Sequence, residues 1–189
     1  MKRKIKTCDI CGKEIGKYDP SYKFKYLFNT IINGNYKPMR EVIPLQIGGS
    51  GNKISIKYLN LISSEHGLDP DGSYHGASAH QLEGISTYYT ERSNGNFFPR
   101  SILLDIDQCV IDSIVSGAHS NFYKPDNIIT GRGGTGNNWA KGYYSGGYEL
   151  LEEAVDVIRK EIEGCECFQG FEIAHSIGGG TGGEWGLYC

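Results

Sequence analysis

Apolar residues in this chain fall into short runs separated by glycine-rich and polar stretches. Glu41-Val-Ile-Pro-Leu-Gln-Ile47, Ser101-Ile-Leu-Leu-Asp-Ile106, Asn127-Ile-Ile-Thr130 and Phe171-Glu-Ile-Ala174 have the length and β-branched content of buried strands. Pro44 is out of place in the first, because proline offers no donor to a ladder. Two other segments show a helical period. Ile54, Ile56, Leu59, Leu61 and Ile62 follow Asn52, a residue type that caps helix starts. Leu150, Leu151, Ala154, Val155, Ile158 and Ile162 recur three to four apart and mark one apolar helix face. The order strand–helix, strand, strand–helix, strand predicts an α/β fold: a Rossmann-like layer with a mostly parallel sheet.

In such a sheet, ligands bind outside the carboxyl ends of the strands. Four segments leave those ends: Gly48–Asn52, Asp105–Gln108, Gly131–Asn138 and Ser176–Gly183. Three are rich in glycine, whose missing Cβ lets successive N–H groups turn toward one anion. The fourth carries Asp105 and Asp107, carboxylates able to hold a hydrated Mg²⁺ that bridges phosphate oxygens. Together they predict a site for a nucleoside triphosphate. The last loop, Ser176-Ile-Gly-Gly-Gly-Thr-Gly-Gly183, lacks the Gly-Lys-Ser/Thr of a P-loop. Gly131, Gly133 and Gly136 fit a dinucleotide fingerprint. The acidic residues at the right distance, Glu152 and Glu153, fall inside a predicted helix, and that context excludes the fingerprint.

Charge divides the chain. The 189 residues sum to −3, but residues 1–38 carry nine Lys/Arg against three Asp/Glu. This segment, with lysines interleaved among Tyr18, Tyr22, Phe24, Tyr26 and Phe28, reads as a basic extension on an acidic body. Its composition leaves a second reading open: a degenerate α/β domain bearing an arm that binds nucleic acid or zinc. Cys8-Asp-Ile-Cys11 has the spacing of half a zinc site, but Cys165-Glu-Cys167 does not supply the other half. The six cysteines therefore read as reduced thiols. The start, Met1-Lys-Arg-Lys-Ile-Lys, lacks the apolar core of a signal peptide, and no run reaches the roughly 18 apolar residues of a membrane span. A cytoplasmic protein without membrane attachment is expected.

The order and identity of several segments resemble the tubulins, and among them the β type. The segments are Met39-Arg-Glu-Val-Ile, Gly51-Asn52, Glu65-His-Gly-Leu-Asp-Pro-Asp-Gly-Ser-Tyr-His-Gly76, Gln81-Leu-Glu83, Tyr88-Tyr89, Pro125-Asp-Asn127, Gly136-Asn-Asn-Trp-Ala-Lys-Gly142, Gln169-Gly-Phe171 and His175-Ser-Ile-Gly-Gly-Gly-Thr-Gly182. The resemblance spans 39 to about 183 and leaves residues 1–38 without a counterpart.

That resemblance implies GTP as ligand with Mg²⁺, a heterodimer with an α-tubulin-like subunit, and a place in the microtubule cytoskeleton, with no nucleic acid or membrane partner. It implies that Gly48, Gly49 and Ser50 lie against the phosphates, that Asp107 stands near the metal, and that Gly136 and Asn137 reach the γ-phosphate end. Ser176, Gly179, Gly180, Thr181 and Gly182 would cradle the phosphates. Three positions depart from the family: Gly49 replaces Gln, Ser50 replaces Cys, and Gly182-Gly183-Glu184 replaces Gly-Ser-Gly. Glu184 is expected to set a carboxylate beside the phosphate loop and weaken binding. The family's guanine-reading asparagines and its second domain lie beyond the resemblance. A truncated product is expected, with apolar surface left at the sheet edge and no capacity to polymerise alone.

Overall fold

A computed structural model describes residues 6–7, 14–15, 40–117 and 122–185. The chain forms two units, Met1–Met39 and Arg40–Cys189. In the first, β1 (Lys6–Thr7) pairs antiparallel with β2 (Glu14–Ile15). Cys8, Cys11 and the lysine–aromatic run of 17–28 lie outside the described residues.

The second unit is built on a four-stranded sheet of order β7-β6-β3-β8: β3 is Glu41–Ile47, β6 Ile102–Asp105, β7 Ile128–Thr130 and β8 Phe168–Ala174. Every pairing in it is parallel. The expected parallel α/β sheet is therefore present, with β8 at one edge. Pro44 is accommodated because the ladder to β6 starts one residue later, at Leu45, leaving Pro44 registered only with Glu172 of β8. A small hairpin, β4 (Tyr89–Glu91) with β5 (Phe97–Pro99), stands apart from the sheet, after the five-residue α2 (Ala79–Glu83).

Helices cover both faces. Alternate residues of each central strand point to opposite sides, so the sheet divides two cores. Ile43, Leu45, Ile47, Ile102, Leu104 and Ile129 pack with Leu150 and Ala154 of α5 (Tyr148–Gly164) and with Trp185. On the other side Leu103 joins Leu59, Tyr89, Ile111 and Phe122, drawn from α1 (Gly48–Glu65), α3 (Gln108–Val115) and the segments between. Val155 on α5 is exposed, so the apolar face read from the sequence is narrower than expected. Phe171 and Ile173, on the edge strand, are each about two-fifths exposed, 40% and 39%.

The first helix departs most from expectation. It begins at Gly48, directly after β3, and Ile47 occupies its N-cap without a side-chain bond. Asn52 does not cap it. Asn52 is wholly buried, and its Nδ2 donates to the Gly48 carbonyl at 3.0 Å and to the Leu104 carbonyl of β6 at 3.1 Å. The buried face of α1 consists of Gly48, Gly51, Asn52, Ser55, Leu59 and Ser63, whereas Ile54 and Leu61 face solvent. Small residues let the helix lie close on the sheet; Leu59, Ile56 and Ile62 of the expected apolar face pack inward, and Ile54 and Leu61 do not.

Candidate functional site

The four predicted segments meet. At the carboxyl ends of β3, β6, β7 and β8 they enclose an open cavity of about 380 Å³. Of the eleven residues expected to bind, ten line it: Gly49 and Ser50 from α1, Asp107 after β6, Gly136 and Asn137 after β7, and Ser176, Gly179, Gly180, Thr181 and Gly182 after β8. Gly48 lies behind this lining. Its φ of +72° belongs to the left-handed region, and a Cβ there would stand 2.8 Å from the Gly182 nitrogen. Backbone thus packs on backbone where α1 meets the last loop. Asp105, Val110, Gly134, Thr135 and Gly178 complete the lining.

Each loop is held from below. The β7 loop is tied by the Gly131 N–H, which donates to the Asp105 carbonyl at 3.0 Å. It then turns through Gly136 and Asn137, both with left-handed φ, +60° and +61°. Asparagine tolerates that conformation better than most residues. Asn138 caps α4 (Trp139–Lys141) through the Lys141 N–H, and the Lys141 ammonium donates back to the Gly134 carbonyl at 3.0 Å. The β8 loop is bridged by His175, whose Nδ1–H faces the Gly182 carbonyl at 2.9 Å and the Ser176 carbonyl at 3.0 Å. That loop meets the β7 loop tightly, because a Cβ on Gly180 would overlap the Thr135 hydroxyl.

The two carboxylates differ. Asp107 Oδ1 accepts the Cys109 N–H at 3.0 Å and so caps α3. Asp105 is 2% exposed; its Oδ1 accepts the Asp107 N–H at 3.1 Å, and its Oδ2 has no hydrogen-bond partner among the described residues. Burial raises the Asp105 pKa above the ordinary carboxylate value, opposed by the Asp107 N–H. The sequence reading gave the metal to Asp107 and treated Asp105 as its strand-end neighbour. Asp105 is the more deeply buried of the two, and the Thr181 hydroxyl lies beside its carboxylate and opposes the rise in its pKa. Among the described residues no Lys or Arg lines the cavity. The described residues hold no cluster of three or more His, Cys, Asp or Glu side chains suited to a metal. A cation here would complete its shell with water or ligand oxygens, as Mg²⁺ commonly does.

Glu184 overturns its expectation. It sits on α6 (Thr181–Trp185), wholly buried, and does not line the cavity. Its carboxylate turns the other way, toward Gly142 and Gly147 of the π-helix that follows α4. The side chain therefore makes no direct contact with the cavity. Among the described residues no helix is long and apolar enough to cross a membrane.

A parallel α/β layer with a glycine-rich cavity at its carboxyl edge, beside the buried Asp105 and the half-buried Asp107, has the layout of a phosphate-binding domain. Residues 41–186 match the Tubulin/FtsZ family, GTPase domain. The chain is 50% identical over 148 residues to the tubulin beta chain of Bombyx mori, covering 78% of this chain and 33% of that one. It belongs to the tubulin/FtsZ family, and it spans about a third of the length of that relative.

Proposed function

We propose that residues 40–185 bind GTP with Mg²⁺ in this cavity, as a β-tubulin-like component of the microtubule cytoskeleton in the cytoplasm. The observation that carries the reading is the pairing of a glycine-rich cavity with the buried Asp105 carboxylate and, among the described residues, no cationic side chain in the lining. Two carboxylates without a counter-cation repel a bare anion. A triphosphate arriving with a divalent ion satisfies both.

In this reading the chain's residues divide the work. Backbone N–H groups of Gly178 to Gly182, with the Thr181 and Ser50 hydroxyls, bind phosphate oxygens. Asn137 supports the far end of the phosphate chain. Asp105 and Asp107 orient the hydrated Mg²⁺, which when bound supplies charge neutralisation at the phosphates. The closed packing of Gly180 on Thr135 holds the loops at one separation. An α-tubulin-like subunit is the proposed partner. Taken alone, residues 40–185 are proposed to cap a filament and not to extend it, because a one-sided contact ends a head-to-tail chain.

The test is titration of a fluorescent GTP analogue with Mg²⁺ and with EDTA, beside turbidity and phosphate release of complete tubulin given substoichiometric chain. Mg²⁺-dependent binding and slowed elongation are expected. Binding indifferent to EDTA sinks the cation-linked site. Microtubules formed by the chain alone sink the capping role.

A further inference from the structure

Glu184 is a costly group in the second unit. Its side chain is fully buried, and neither carboxylate oxygen has a hydrogen-bond partner among the described residues. Oε2 lies where a side chain on Gly142 would begin, and Oε1 where one on Gly147 would begin. Two glycines of the π-helix Gly142–Gly147 thus form the seat of this carboxyl. Insertions of π-helix are uncommon and tend to occur at functional sites. The helix that carries Glu184 also carries Thr181 and Gly182, which line the cavity. The π-helix continues from α4, which follows Asn137 of the opposite wall. The carboxyl therefore lies at the joint between the two walls.

We propose that Glu184 is a pH-sensitive latch on the anion cradle: protonated, it holds α6 against the π-helix; ionised, it leaves that seat and draws Thr181 and Gly182 out of line. This rests on the cradle reading above and extends it to regulation. An ionised carboxylate without a partner is costly in a desolvated seat, whereas the neutral acid packs there and can donate its proton to a neighbouring carbonyl. Among the described residues the surrounding elements bring no compensating cation; on α5, Tyr148, Glu149, Glu152 and Glu153 are exposed. Lys141 of α4 is committed to the Gly134 carbonyl. Tyr143 and Tyr144 of the π-helix pack on Trp139 and on each other. On α1, Lys53 and Lys57 are exposed, and the residues turned inward are Gly48, Gly51, Asn52 and Ser55. The one acid of β3, Glu41, is paired with Arg100 at the strand's start. Asp105 faces the cavity side of Thr181. Consistent with this setting, desolvation raises the Glu184 pKa to about 7.

The sign follows from linkage. The unfolded chain ionises Glu184 near its ordinary value of 4.5, the folded chain near 7. Between those values the unfolded state binds fewer protons, so stability falls as pH rises and levels off above about 7.

The experiment compares native chain with Glu184→Gln, which keeps the shape and removes the charge. Urea unfolding, followed by the fluorescence of buried Trp185, is run from about pH 4.5 to about pH 8. Native stability should fall across that range and Glu184→Gln should not share this component. The same pair is titrated with Mg²⁺ and inorganic tripolyphosphate. Native affinity should weaken roughly five- to tenfold relative to Glu184→Gln between about pH 6 and about pH 8. Identical pH responses in the two proteins overturn the latch. The unfolding arm judges it even where tripolyphosphate binds neither protein at any pH, a result that counts against the cradle reading instead. Should Glu184→Gln not fold, Gly142→Ala in native and Glu184→Gly backgrounds decides: the added methyl should destabilise only where Glu184 is present, and equal effects in both remove the seat.

Discussion

Arg100 and Glu41 form an ion pair at 2.6 Å with side chains only 7% and 2% exposed. The other oxygen of Glu41 accepts the Cys167 N–H at 2.8 Å. The pair therefore pins the start of β3, the run into β6 and the turn into β8 at the end of the sheet opposite the cavity. Removing one partner leaves the other charge buried and unpaired. Arg100→Ala is expected to cost about 3–5 kcal/mol, read as a lower urea midpoint at unchanged slope. A cost under about 1 kcal/mol, the scale of a surface pair, would mean that water reaches the pair.

Asn52 ties the first helical turn to β6 by two hydrogen bonds to carbonyls. Asn52→Ala removes both side-chain bonds and opens a small void. The expected loss is about 1–3 kcal/mol of stability. Because Gly49 and Ser50 sit on the same turn, Mg²⁺-tripolyphosphate affinity should drop with it. Unfolding and calorimetric titration on one sample test the link. Lost stability with unchanged affinity would show that the turn is positioned by Gly48 packing alone.

Asp105 and Asp107 should be separable. Asp105→Asn removes the buried charge that faces the cavity and is expected to abolish most of the Mg²⁺ dependence of triphosphate binding. Asp107→Asn should weaken that dependence less, since asparagine still caps α3. The raised pKa of Asp105 means that it takes up its proton at higher pH than an ordinary carboxylate. Native Mg²⁺-dependent binding should accordingly fade toward acid pH, and the Asp105→Asn protein should lack that acid limb. Equal Mg²⁺ dependence in native and Asp105→Asn refutes the assignment.

Gly180→Ala places a methyl on the Thr135 hydroxyl and must push two loops apart. Overpacking of this kind costs typically about 1–3 kcal/mol. Anion binding should weaken, and Thr135→Ala in the same background, which removes the hydroxyl the methyl overlaps, should restore part of it. No recovery would place the damage elsewhere than at this contact.

Strand positions and the four converging loops were legible because both rest on local signals: compact apolar runs and glycine-rich exits from them. The face of α1 was not. Its buried side is set by how closely the helix approaches the sheet, so Gly51 and Ser55 go in while Ile54 and Leu61 stay out. Asn52 looked like a cap because its type is common there, but its partner Leu104 lies 52 residues away. Asp105 and Asp107 are two residues apart, and only tertiary burial distinguishes the oxygen that caps a helix from the one left bare. Glu184 was misplaced for the same reason. Chain proximity to the phosphate loop suggested contact with it, but the side chain leaves α6 on the side of the π-helix.

β8 is both the edge of the sheet and the strand that delivers the Ser176–Gly182 loop. An open edge templates further strands, and its Phe171 and Ile173 offer apolar surface to them. Association and ligand occupancy then become communicating quantities. Whatever adds to this edge stiffens the floor of the cradle, and whatever fills the cradle steadies the edge. Light scattering of the chain with and without Mg²⁺-tripolyphosphate would register this coupling as a faster rise with ligand present.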